Sequence, residues 1–115
     1  MEIFYKNKKA EKQFDSTYES KWEYPEKVKI KLKSIENFLK SALSLNDVFV
    51  YPPYRFHCLK GDRKGEWSIT VPNTAWRVIV IPCDEDKKPI LDGDILSRCN
   101  FIKIVMVTEV SKHYE

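Results

Sequence analysis

No stretch of the chain approaches the ~20 apolar residues that a membrane-spanning helix needs. The opening residues, Met1-Glu2-Ile3-Phe4-Tyr5-Lys6, lack the basic start, apolar middle and small-residue cleavage site of a secretory signal. A cytoplasmic protein with no membrane partner is therefore expected. Paired cysteine is missing as well. Cys58, Cys83 and Cys99 are odd in number, far apart and without a C-x-x-C pair. That spacing argues against both a disulfide framework and a zinc site, and free thiols in a reducing compartment are expected. Internal repeats and low-complexity segments are also lacking.

What is present fits one globular domain. The 115 residues are 43% apolar and 32% charged, which excludes a disordered chain and allows a single modest core. The net charge is only +3, but its distribution is uneven. Residues 1–34 carry nine Lys against six acids, net +3. Residues 55–77 carry five basic residues against two acids, again net +3, whereas 82–115 are net −2. A positive field concentrated away from the C-terminal third attracts a polyanion such as RNA or DNA.

Ile3-Phe4-Tyr5 reads as a short strand, and Asn7 can cap a helix. Ala10, Phe14, Tyr18 and Trp22 recur every four residues on one helical stripe. Pro25 fits the start of a second helix, where Val28, Leu32, Ile35, Leu39 and Ala42 repeat at helical spacing. An antiparallel helical hairpin is expected. After Pro52-Pro53 the period changes to two. Tyr54–Leu59 reads as a strand and 61–65 as a turn. Trp67, Ile69 and Val71 alternate with Ser68 and Thr70 as in a half-buried strand. Trp76–Ile81 is a further strand, and 82–101 is a polar, acidic loop insertion. Ile102–Thr108 should lie inside the sheet, and a short tail follows. Helices grouped before strands imply an α+β domain over 1–115, with the hairpin packed on a twisted, mainly antiparallel sheet of about four to five strands.

The segment Tyr54-Arg-Phe-His-Cys-Leu-Lys-Gly-Asp-Arg-Lys-Gly-Glu-Trp-Ser-Ile-Thr-Val71, followed by Trp76-Arg77, resembles the central motif of HigB-type toxins of the RelE/ParE superfamily. That pattern runs roughly H-x-L-K-G-D-R-x-G-x-W-S-I-x-V, then W-R-I. His57, Leu59, Lys60, Gly61, Asp62, Arg63, Gly65, Trp67, Ser68, Ile69, Val71, Trp76 and Arg77 match it in order. The resemblance covers nearly the whole chain, with 82–101 as a longer loop. It implies a RelE-like fold and a type II toxin. Such a toxin is an endoribonuclease that uses no metal or other cofactor and cuts mRNA, usually on the ribosome. A co-encoded antitoxin neutralises it, here a HigA-like helix-turn-helix protein. The exposed apolar side of the helical hairpin, or the basic cleft, would be the docking surface.

Metal-free RNA cleavage needs a base for the 2′-hydroxyl, cations for the charge on phosphate, and an acid for the leaving 5′-oxygen. His57, Lys60, Arg77, His113 and Tyr114 are the candidate catalytic residues. Arg77 is the natural phosphate clamp, and otherwise pairs with Asp62 or Glu66. Imidazole suits acid–base work near neutral pH, which makes His57 the candidate base or acid. Arg55, Arg63, Lys64 and Lys112 are candidate contacts to the RNA backbone, with Tyr54 as a stacking platform. Trp67 and Trp76 are expected in the core. His57 and Lys60 are three apart and share a face only if the strand ends and bends between them. HigB-like chains commonly end in Asp-Tyr-His, where this chain has Lys112-His113-Tyr114. The altered tail motivates an alternative, a non-catalytic or degenerate binding module of the same fold, related to gyrase-poisoning members.

Overall fold

A computed structural model describes residues 1–15, 24–63, 65–91 and 93–112. The chain begins with strand β1 (Glu2–Tyr5), followed by helix α1 (Lys8–Phe14). Asn7 caps α1, its side chain accepting from the Ala10 amide at 2.9 Å. Ala10 and Phe14 are buried as their spacing predicts. The helix stops at Phe14, because Asp15 is extended. Tyr18 and Trp22 of the expected stripe lie outside the described residues.

Helix α2 (Glu26–Ser41) starts one residue after Pro25, which precedes it as the cap. Val28, Leu32, Ile35 and Leu39 face the core while Lys27, Lys29, Lys33 and Lys40 face water, the outcome expected of an amphipathic repeat. A short helix α3 (Leu45–Phe49) follows, capped by Ser44.

The sheet has five strands in the order β1-β5-β4-β3-β2, where β2 is His57–Cys58, β3 Trp67–Thr70, β4 Trp76–Cys83 and β5 Ile104–Lys112. β1 pairs with β5 in parallel and the other pairings are antiparallel. The domain is therefore α+β with a mostly antiparallel sheet, and β5 lies inside the sheet as its apolar run predicts.

Three expected boundaries are corrected. Tyr54–Leu59 is not one strand. Pro52–Tyr54 forms a 3-10 turn, and only His57–Cys58 pairs with β3. Two successive prolines fix φ near −65° and remove two donors, which favours a turn over a ladder. The 82–101 segment is not wholly loop. Asp94 Oδ1 accepts from the amides of Leu96 and Ser97 and caps helix α4 (Ile95–Arg98), which buries Ile95. The acidic composition hid this cap. Finally, Glu109–Lys112 is strand and not tail.

One face of the sheet carries the core. Trp67 and Ile69 of β3, Val78 and Val80 of β4, and Val105, Val107 and Val110 of β5 pack with Leu32, Ile35 and Leu39 of α2. Val107 and Val110 are three apart, which a regular strand would send to opposite faces. A bulge resolves this: Ile79 pairs with Glu109 but Val80 pairs with Val107, leaving Thr108 as the extra residue. Thr108 Oγ1 donates to the Ile79 carbonyl at 3.2 Å. Beyond the bulge the alternation is inverted, so Glu109 and Ser111 face away from the core.

Candidate functional site

The face opposite the core holds two cross-strand rows. His57, Ser68, Ile79 and Glu109 form one, and Thr70, Arg77 and Ser111 form the other. Strand alternation explains both. In β3 the apolar residues Trp67 and Ile69 go to the core, so Ser68 and Thr70 must point outward. Arg77 alternates with Val78 in the same way.

An open cleft of about 520 Å³ lies over these rows, lined by Arg55, His57, Ser68, Thr70, Thr74, Ala75, Trp76 and Arg77. A second cleft, of about 710 Å³, adjoins it between Pro52-Pro53 and Pro72-Asn73 and shares Arg55, Thr70, Thr74 and Ala75. Arg55 therefore stands at the boundary between the two. No carboxylate among the described residues lines either cleft, whereas Arg55, His57 and Arg77 do. Such an arrangement concentrates positive potential where an anion enters.

Arg77 and His57 each have a defined anchor. Arg77 Nε donates to Ser111 Oγ at 3.3 Å, which leaves the outer guanidinium nitrogens for a ligand. No ion pair joins Arg77 to Asp62 or Glu66 among the described residues. His57 is exposed, and its Nδ1 lies 2.6 Å from the Arg55 carbonyl oxygen. Arg55 itself has a left-handed backbone (φ 44°, ψ 44°), a conformation that costs a residue with a Cβ roughly 1–2 kcal/mol. The buried Tyr54 beside it holds that turn in place, edge-on to Phe38 at 5.1 Å.

The far wall is tied to the helices. Trp76 is half-buried and meets Tyr24 edge-on at 5.0 Å. Lys31 Nζ donates to the Pro72 carbonyl at 2.5 Å, fastening the 72–75 turn to α2. Burial raises the Tyr24 hydroxyl from its ordinary value to about 12.

The expected site is thus assembled only in part. Arg55, His57 and Arg77 meet in one cleft. Lys60 is exposed, follows the end of β2 and does not line the cleft. Lys112 ends β5 opposite Trp76 and is exposed. His113, Tyr114 and Lys64 lie outside the described residues.

Two expected RNA contacts are revised. Tyr54 is 5% exposed and packs among Phe38 and Tyr51, so it offers no open ring for stacking. Desolvation, with a smaller contribution from Tyr51, pushes its hydroxyl up to about 12. Arg63 does not project as a free loop tip. Its Nε donates to Glu66 Oε2 at 2.6 Å, and its other end forms an ion pair with Glu109 of β5. Those two hydrogen bonds hold its pKa above the ordinary guanidinium value. The loop between β2 and β3 consequently lies across the outer face, above a row in which Ile79 has no exposed surface.

Ser68, Thr70 and Thr74 were not singled out from the sequence, although the polar half of the alternation at Trp67–Thr70 marks the first two. Ser68 is 2% exposed and lines the cleft. The cysteines take no part: Cys83 and Cys99 are buried, which pushes both thiols up. Among the described residues no three His, Cys, Asp or Glu side chains are grouped as metal ligands, and no helix is long and apolar enough to cross a membrane. No protein-family model matches the chain, and none of the curated proteins compared with it is similar.

Proposed function

We propose that the chain is a HigB-like toxin with a RelE-like fold, an endoribonuclease that cuts mRNA on the ribosome and is held inactive by a helix-turn-helix antitoxin. The observation that carries this reading is the meeting of Arg55, His57 and Arg77 in one cleft that no carboxylate of the described residues lines. In this reading His57 takes the proton of the 2′-hydroxyl. The 2′-oxygen then attacks phosphorus, and the bond from phosphorus to the 5′-oxygen breaks. Arg77 and Arg55 bind the phosphate oxygens as negative charge grows on them. His113 or Tyr114 protonates the leaving 5′-oxygen. The double cleft gives a flexible single strand room on both sides of the scissile phosphate.

A non-catalytic nucleic-acid-binding module is the second reading, favoured by the position of Lys60 outside the cleft. Ribosomes programmed with a defined mRNA separate the two. Wild type is expected to cut the message, and Arg77→Ala to cut about 10²–10³-fold more slowly, the loss typical of one transition-state donor. Intact mRNA at high wild-type concentration supports the binding module. Equal cleavage by Arg77→Ala removes Arg77 from the catalytic set.

A further inference from the structure

Among the described residues His57 has one polar partner, and it is a backbone carbonyl. The Arg55 oxygen lies 2.6 Å from His57 Nδ1. A carbonyl can only accept, so the shared proton belongs to Nδ1. In the neutral ring Nε2 must then carry the lone pair. The carbonyl is aimed by unusual backbone. Pro52–Tyr54 forms a 3-10 turn closed by the Arg55 amide donating to the Pro52 carbonyl at 3.1 Å. Tyr54 is anchored in the core, and Arg55 is left-handed. A strained non-glycine residue beside a reactive group is where fold stability is used to hold a geometry.

We propose that Arg55 is a positioning residue: its left-handed backbone holds His57 in the Nδ1–H tautomer and leaves Nε2 as the nitrogen that accepts the proton of the attacking 2′-hydroxyl. The catalytic half of this statement rests on the nuclease reading above; the tautomer does not. The arrangement separates two duties of Arg55. Its guanidinium faces the clefts and binds phosphate, while its carbonyl orients the base. Substitutions that differ in tolerance of left-handed backbone therefore divide the two. Gly and Asn adopt it readily, whereas β-branched Val does not.

The test is nitrogen NMR of the imidazoles in the full chain, recorded at alkaline pH to read the neutral ring form. The chain has two histidines, and His57→Gln identifies the His57 signals. In wild type, Arg55→Gly and Arg55→Asn, Nδ1 is expected at the protonated position and Nε2 at the unprotonated one. In Arg55→Val the pair should exchange or average. Should Arg55→Val lose its sheet amide signals, wild type and Arg55→Gly decide alone, because each reads the tautomer directly. In RNA cleavage Arg55→Gly and Arg55→Val lack the same guanidinium and should share a raised KM. Arg55→Val should lose about a further 10²-fold in kcat, the lower end of what a positioned base contributes.

An Nε2–H tautomer in wild type, or an unchanged tautomer in folded Arg55→Val, overturns the proposal even if RNA is cut. An Nδ1–H tautomer with uncut RNA sustains the positioning and defeats the nuclease reading.

Discussion

Arg77 and Ser111 are joined across β4 and β5 by a hydrogen bond from Nε to Oγ at 3.3 Å, with Thr70 flanking Arg77 on the other side. Ser111 fixes the rotation of a guanidinium that would otherwise sample several rotamers in the open cleft. One such bond contributes about 1 kcal/mol. Ser111→Ala is accordingly expected to slow single-turnover RNA cleavage roughly 5-fold. Its urea midpoint should change by less than the equivalent of about 1 kcal/mol, since the residue is only half-buried. Unchanged cleavage would show that Arg77 needs no such restraint.

Arg55 and Arg63 should differ in how they respond to salt. Arg55 lines both clefts with no carboxylate of the described residues beside it, whereas Arg63 is held by Glu66 and Glu109. Loss of one phosphate contact on a single strand lowers the slope of log affinity against log salt by about 0.7. Arg55→Ala should show that change, and Arg63→Ala should not. Arg63→Ala should instead cost at most about 1 kcal/mol of stability, because its side chain is 37% exposed and the pairing is screened. A salt slope reduced by Arg63→Ala would restore the loop to the proposed RNA-binding surface.

The buried hydroxyl of Tyr54 makes a pH-dependent contribution. Its folded-state pKa is raised from 10 to about 12 by desolvation first and by Tyr51 second. Between those values the unfolded chain ionises and the folded chain does not. Stability is therefore fully retained below pH 10 and falls as pH rises towards about 12. Tyr54→Phe should flatten this alkaline loss in denaturant titrations, while Tyr24, raised in the same way, sustains the remainder. Equal slopes for the two proteins would place the Tyr54 hydroxyl in water.

Gly65 closes the loop between β2 and β3 with φ of +86°, and a Cβ built there would stand 2.5 Å from Leu91 Cδ2. The steric part is mild, because the end of a Leu side chain can turn away. The backbone part is not, since left-handed geometry costs an L residue about 1–2 kcal/mol. Gly65→Ala should lower stability by about that amount, measured by urea unfolding. If the loop also holds the outer face closed, Arg63 should lose its carboxylate partners in the same variant.

Much of the architecture was readable from residue pattern. The α2 stripe, the interior place of the Ile102–Thr108 run and the inward Trp67 and Ile69 follow from apolar periodicity, because burial of apolar surface is the dominant favourable term in folding. The motif from His57 to Arg77 contains several of the residues that line the cleft, and the alternation at Trp67–Thr70 contains Ser68 and Thr70 as its outward half. Short elements were less legible. Asp94 caps α4 inside an acidic stretch, and two prolines convert the expected Tyr54–Leu59 strand into a turn, because local hydrogen bonds there outweigh a weak β pattern.

Composition and periodicity determined which residues are buried, which face water and in what order the elements come, since those properties depend on neighbours in the chain. The partners of the basic residues were decided only in three dimensions. Strand register brings His57 beside Ser68 and Arg77 beside Thr70. The bulge at Thr108 inverts the end of β5 and delivers Ser111 to Arg77 and Glu109 to Arg63. Arg63 is paired with carboxylates for this reason, while Arg55 lines the cleft with His57 and Arg77. A one-residue shift in pairing moves every side chain to the other face of a sheet, and no pattern within a single strand reveals where that shift occurs.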